Sequence, residues 1–209
     1  MRILSFDIGI CNLAYCVLDI DLDQNDKTEI IQWGIIDVTR YTNDSKAIDD
    51  LSLGLIQALD EHFPDAEFHT VILENQPVQK NPTMKSVQMV VYTYFQILKS
   101  HHGSVSVVKL SSAINKSKWL PQSIFKDVIK IEDFKGSSYQ INKKLSIAMV
   151  QHLIRDNHIV IDTLHEELLN TSKKKDDLCD ALLQGYKYLI DYKANAFATS
   201  NRKSRVKIT

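Results

Sequence analysis

The chain has 209 residues, 44% hydrophobic and 24% charged, enough for one well-buried domain and unlike a disordered or fibrous sequence. No stretch approaches the ~18 uncharged apolar residues of a membrane span, and an odd number of cysteines without a CxxC pair argues against a disulfide scaffold or zinc knuckle. The net charge of −1 hides a split: residues 1–75 hold 4 Lys+Arg against 15 Asp+Glu, a balance of −11, and residues 76–209 hold 21 against 11, a balance of +10.

Three strand-like runs rich in Ile, Val, Leu and Tyr open the chain, at residues 2–7, 11–20 and 29–38, separated by turn-like breaks. They predict a meander. Residues 45–59 predict a helix with Ile48, Leu51, Leu55, Ile56 and Leu59 inward and Ser45 as cap. A fourth strand at 68–77 ends its apolar run in Glu74, and a helix follows over 82–100 with Pro82 in its first turn and Val87, Val91 and Phe95 at core spacing. Met89, Tyr92 and Ile97 add apolar groups elsewhere around that helix, which suits burial or an interface. Residues 104–110 read as a fifth strand. The irregular region 111–140 and the segment 157–173 read as surface insertions on either side of a helix at 141–157, whose Leu145, Met149, Val150 and Leu153 face inward. A last helix covers 176–193, and 194–209 form a basic, mobile tail. Thus 1–193 is one α/β domain, and this element order sketches an RNase H-like fold: a central mixed five-stranded sheet flanked by helices.

Charged groups at the element ends carry the functional signal. Asp7 closes the first strand two residues before Gly9, Glu74 closes the fourth, and Asp177 and Asp180 begin the last helix three residues apart, hence on one face. Taken singly, each has an ordinary explanation: a turn former, a solvated strand end, acids favoured by a helix dipole. Taken together, they terminate or begin elements that this fold brings side by side. Four converging carboxylates offer hard oxygen ligands to Mg²⁺ or Mn²⁺ and cannot all ionise in contact without such ions. The charge split fits the same picture, a basic surface for a polyanion beside an acidic pocket.

The segments ILSFDIGICNLAYCVLDI, VILENQP with NPTMKSVQMVVYTYF, and KKDDLCDALLQGY resemble the signature segments of the RuvC-like Holliday junction resolvases, in particular the poxvirus and mitochondrial ones. The resemblance implies a structure-selective endonuclease that resolves four-way DNA junctions by two-metal-ion hydrolysis, leaving 5′ phosphates and 3′ hydroxyls, in recombination or viral concatemer processing. It assigns Asp7, Glu74, Asp177 and Asp180 as ligands of two Mg²⁺ ions, with Mn²⁺ as a substitute. It also implies an active-site lysine after the fifth strand, for which Lys116 is the first choice and Lys109 and Lys118 are rivals. Expected partners are branched DNA and a second copy of the chain, with no membrane and no small-molecule cofactor. Lys80, Lys85, Lys116, Lys118, Lys143, Lys144 and Lys173 to Lys175 would follow phosphates. The cysteine usage predicts an intracellular, reducing setting, and the absence of a visible transit peptide before Met1 favours the cytoplasm of an infected cell. Two other classes compete. A resolvase-like scaffold without catalysis would not need all four carboxylates. A phosphotransferase of the actin and sugar-kinase type also opens with D-x-G but needs Gly-rich phosphate loops, and six scattered glycines supply none.

Overall fold

The computed structural model describes residues 1–21, 27–65, 67–79, 81–112 and 136–206, with residues 197–206 as backbone only. Strands β1 (Arg2–Asp7), β2 (Leu13–Ile20) and β3 (Thr28–Ile36) pair antiparallel in succession. β4 (Phe68–Glu74) and β5 (Val105–Ser111) run parallel to β1 on its other side, so the order is β3-β2-β1-β4-β5. β1 and β4 are therefore interior strands covered on both faces, which is why RILSFD and FHTVILE read as nearly continuous apolar runs. The sheet is mixed and five-stranded, and helices flank it.

One face carries α1 (Ile48–His62) and α2 (Pro82–Ile97) over Leu4, Phe6, Val71 and Leu73. Phe6 sits 5.8 Å from Phe63 and 5.6 Å from Phe95, ring centroid to centroid, so aromatic packing anchors this layer. α2 is opened by Asn81, whose side chain accepts from the Met84 amide, with Pro82 where its missing N–H costs nothing. Past Ile97 the chain makes one π turn and stops at Gly103, whose φ of 66° is the left-handed conformation glycine takes without a Cβ penalty. The other face carries α3 (Ser138–Arg155), α4 (Thr163–Thr171) and α5 (Lys175–Val206) over Ile3, Ile72 and Cys16. Leu145, Met149, Val150 and Leu153 of α3 face inward as expected, and a capping box between Ser137 and Gln140 starts that helix.

The structure departs from the sequence reading in four places. α1 begins at Ile48 with no side-chain cap. Ser45 instead hydrogen-bonds Asp50, Ile48 and Ile56 are exposed, and Gly54 and Ala58 take the inward positions. A side chain at Gly54 would meet Thr42 Cγ2 at 2.5 Å, so helix and preceding turn approach too closely for anything larger. The segment 157–173 is not a surface insertion: it holds α4, places Ile159 and Leu169 in the core, and bridges Val160 to Glu29 of β3. The local sequence places Cys11, Cys16 and Cys179 all in apolar surroundings, but Cys11 is exposed, whereas Cys16 and Cys179 are buried free thiols. Finally, the last helix does not end near residue 193 but continues to Val206. Lys80, Lys116, Lys118 and most of the region 111–140 lie outside the described residues. Among the described residues no helix is long and apolar enough to cross a membrane.

Candidate active site

Register fixes the first two carboxylates. Phe6 pairs with Leu73 in the parallel β1–β4 ladder, and Glu74 pairs with Ser111 of β5. Asp7 and Glu74 therefore stand level at the carboxyl ends of the two central strands, both half-buried. The turn that follows Asp7 is tight. A Cβ on Gly9 would lie 2.5 Å from the Asn12 carbonyl oxygen, so the D-x-G-x-x-N spacing is the connection from β1 into β2.

α5 crosses these strands in the opposite direction, and its polar contacts fix where its acids fall. The Thr70 hydroxyl donates to Tyr188 Oη at 3.2 Å, while Gln184 Nε2 donates to the carbonyls of Phe6 at 3.0 Å and Ile72 at 3.3 Å. Four helical residues rise about 6 Å and two strand residues about 6.6 Å, so Tyr188 at Thr70 and Gln184 at Ile72 put Asp180 level with Glu74. The fit is close. Ser5 Oγ donates to the Ala181 carbonyl at 2.6 Å, Trp33 Nε1 donates to the Leu178 carbonyl at 2.9 Å, and a Cβ on Gly185 would come within 2.8 Å of Ser5 Oγ.

Asp177 lies one turn toward the start of α5 on the same face as Asp180. Burial first, then the neighbouring Asp176, push its carboxyl above the ordinary aspartate range; Lys174 and Lys143 oppose this, and Asp180 adds to it. Lys143, from α3, forms an ion pair with Asp176 and sits 4.9 Å from the centroid of the Tyr139 ring. The Asp176 carboxylate holds its ammonium well above the usual lysine range. The sequence placed Lys143 among surface cations; the fold puts it beside the acidic start of α5. Lys109 lies elsewhere, on β5 opposite Ile72, with its ammonium over the Tyr188 ring at 5.5 Å.

A polar strut supports the segment after Glu74. Fully buried Gln88 of α2 accepts through Oε1 from the Gln76 amide at 2.7 Å and from Lys85 Nζ at 3.2 Å, and Lys85 Nζ also donates to Asn75 Oδ1 at 2.8 Å. Gln76 Nε2 in turn reaches Glu74 Oε2 at 3.5 Å. Lys85 is thus engaged with the protein and not only a surface cation. Gln88 and Gln184 were missed from sequence; the available signal was a glutamine inside an otherwise apolar helical stripe, in SVQMVV and ALLQGY.

The donor chemistry suits a hard divalent cation: carboxylate oxygens only, half-buried, with Asp177 raised partly by other carboxylates. Among the described residues no three His, Cys, Asp or Glu side chains already meet at ion-holding distance. The strand register sets Asp7 and Glu74 side by side at one end of the sheet, and Asp177 and Asp180 share a face at the start of α5.

Comparison with known proteins adds the family. The family described as Poxvirus A22 protein matches residues 1–192. An uncharacterised protein, L451, of Acanthamoeba polyphaga mimivirus is 34% identical over 146 residues, 66% of this chain and 34% of its own, so the chain spans about a third of that curated relative's length. The yeast mitochondrial Holliday junction resolvase Ydc2 superposes with a TM-score of 0.60 at 20% identity, covering 90% of this chain and 78% of its own. The fowlpox virus resolvase, solved with its substrate Holliday junction DNA, superposes with a TM-score of 0.57 at 23% identity, covering 92% and 99%. These two likenesses establish the RNase H-like fold.

Proposed function

Because this chain belongs to the poxvirus A22 protein family, we propose that it is a Holliday junction resolvase, a nuclease that cuts four-way DNA at the carboxyl ends of β1 and β4. The observation that supports the reading is the parallel β1–β4 register, which ends both strands in a carboxylate, Asp7 and Glu74; the Gln184 and Tyr188 contacts of α5 support a matching level for Asp180. Asp7, Glu74, Asp177 and Asp180 would hold two Mg²⁺ ions, which supply an activated water and neutralise the leaving 3′ oxygen, giving 5′ phosphate and 3′ hydroxyl ends. The protein's part is geometric. The β1–β4 ladder fixes two carboxylates, α5 brings two more, and the Gln88 strut keeps the chain after Glu74 from shifting. The direct test is nicking of a synthetic four-way junction against the matching linear duplex, with and without Mg²⁺. Equal cutting of both substrates, or cutting unaffected by chelator, would sink the proposal.

Lys143 enters this reading as the cation at the acidic start of α5, and Lys116 remains the sequence-based choice. Lys143→Met keeps most of the stem and removes the charge, leaving Asp176 to add its repulsion to Asp177 and Asp180. The cutting rate should fall by about 10²-fold while junction affinity changes by only a few fold. Lys116→Met measured beside it separates the two roles: a rate loss out of proportion to affinity at Lys116 supports a lysine at the scissile phosphate, while the same loss at Lys143 supports charge balance at the start of α5.

Paired nicks in a two-fold junction call for two sites, so the proposed working form is a homodimer. Met89 and Ile97 of α2 are 41% and 49% exposed, and Leu53 and Ile56 of neighbouring α1 are exposed with them. Tyr92, by contrast, packs against the core and accepts from Gln96, so a charge at Tyr92 would strain the fold itself. Met89→Glu with Ile97→Glu is the cleaner variant. It is expected to sediment as a monomer and to turn a cruciform plasmid mainly into nicked circles instead of linear product. A variant that stays dimeric and still linearises the plasmid rules this face out.

A further inference from the structure

The region beyond residue 192 falls outside the family match, yet the fold continues into it as structure. α5 passes Leu189, its last deeply buried leucine, stacks Tyr192 on Tyr188 at 6.3 Å and against His69 at 6.0 Å, and then runs on as helical backbone to Val206, with Ala194, Asn195 and Ala196 exposed. Its composition changes at the same point. After Asp191 there is no further Asp or Glu, while Lys193, Arg202, Lys203, Arg205 and Lys207 follow.

A helix leaving a core loses the tertiary burial that sustains most helices. A run of cations without acids gains most when a polyanion lies alongside. We infer that this basic helical arm is a second contact for duplex DNA, separate from the carboxylate end of the sheet; the inference rests on the resolvase reading above. The same helix carries Asp180 at one end and Arg202 near the other. At a rise of roughly 1.5 Å per residue they lie about 33 Å apart along the axis, close to one turn of B-DNA. The arm therefore reaches a junction's duplex about 10 base pairs from the cut, where it reads phosphates and not sequence.

The experiment uses the full chain with Arg202→Gln, Lys203→Gln and Arg205→Gln together, since glutamine keeps helix propensity while removing charge. Junction affinity is measured by anisotropy across a salt series with Ca²⁺ in place of Mg²⁺, and cutting is measured separately at saturating junction. The plot of log affinity against log salt should become shallower by about 2 to 3, with the saturated cutting rate unchanged. Junctions whose arms are trimmed to about 6 base pairs should bind wild type and variant equally. An unchanged slope overturns the inference, as does a change confined to helicity, which would mean that the cations serve only the helix dipole. A shift in oligomer mass without a change in slope also overturns it, since the arm would then contact a second copy. A wild type that binds and nicks normally beside a variant of unchanged slope fails the arm alone; a wild type with no affinity for junctions fails the resolvase reading and the arm with it.

Discussion

Asp180→Asn and Asp7→Asn are expected to lower junction cutting by about 10³-fold or more while leaving junction binding intact or tighter. The amide is nearly isosteric with the carboxylate, so the β1 end and the start of α5 keep their shape. What is lost is negative charge and a strong oxygen donor for a divalent cation. Glu74→Gln should behave alike, because it stands level with Asp7 on the neighbouring strand. Cutting, gel-shift affinity and thermal melting are read on one preparation. A variant that loses binding and melting temperature together would mean that the carboxylate holds the fold, which is the ordinary explanation for an acid at a strand end or helix start. If wild type itself binds junctions and never cuts them in Mg²⁺ or Mn²⁺, the chain is a junction-binding scaffold and the carboxylates are inherited without use.

The sequence made the strands and the acids legible because both depend on local, periodic signals. Apolar runs of β1 and β4 are long and unbroken, and a carboxylate at the end of each stands out against them. Interior pairings were less legible. Nothing in HEELLNT alone says that Leu169 is buried, because α4 owes its place to a bridge between Val160 and β3 formed by residues about 130 positions apart. A cation beside the acidic start of α5 was hardest to read. Lys143 resembles any other cation in NKKLS, and its place next to Asp176 follows from α3 lying against α5, a contact no helical period encodes. The extent of the last helix was not legible for a related reason: basic composition argues for solvation, and only continuity with a well-packed helix carries the backbone on to Val206.

That same continuity makes Gln184 the side chain whose loss should separate positioning from folding. Its amide is largely buried and donates to a carbonyl on each of the two central strands, one of them Phe6, directly before Asp7. Gln184→Met fills a similar volume but donates nothing, so two carbonyls lose a partner and α5 loses the contact that sets its level against β4. The stability cost should be about 1 to 2 kcal/mol, a drop in melting temperature of roughly 2 to 8 °C for a chain of this size. The catalytic cost should be larger. A slip of about 1 Å in Asp180 relative to Glu74 is enough for roughly 10²-fold in rate, and the Mg²⁺ concentration needed for half-maximal cutting should rise with it. Ile159→Val is the matched control: it trims the same hydrophobic layer, is expected to cost about 0.5 to 1.5 kcal/mol, and touches neither strand end. If both variants melt earlier by similar amounts and only Gln184→Met loses rate and cation affinity, the amide positions the acids. If they lose rate equally, Gln184 is packing, and the level of Asp180 is held by Ser5 and Trp33 through their bonds to the α5 backbone.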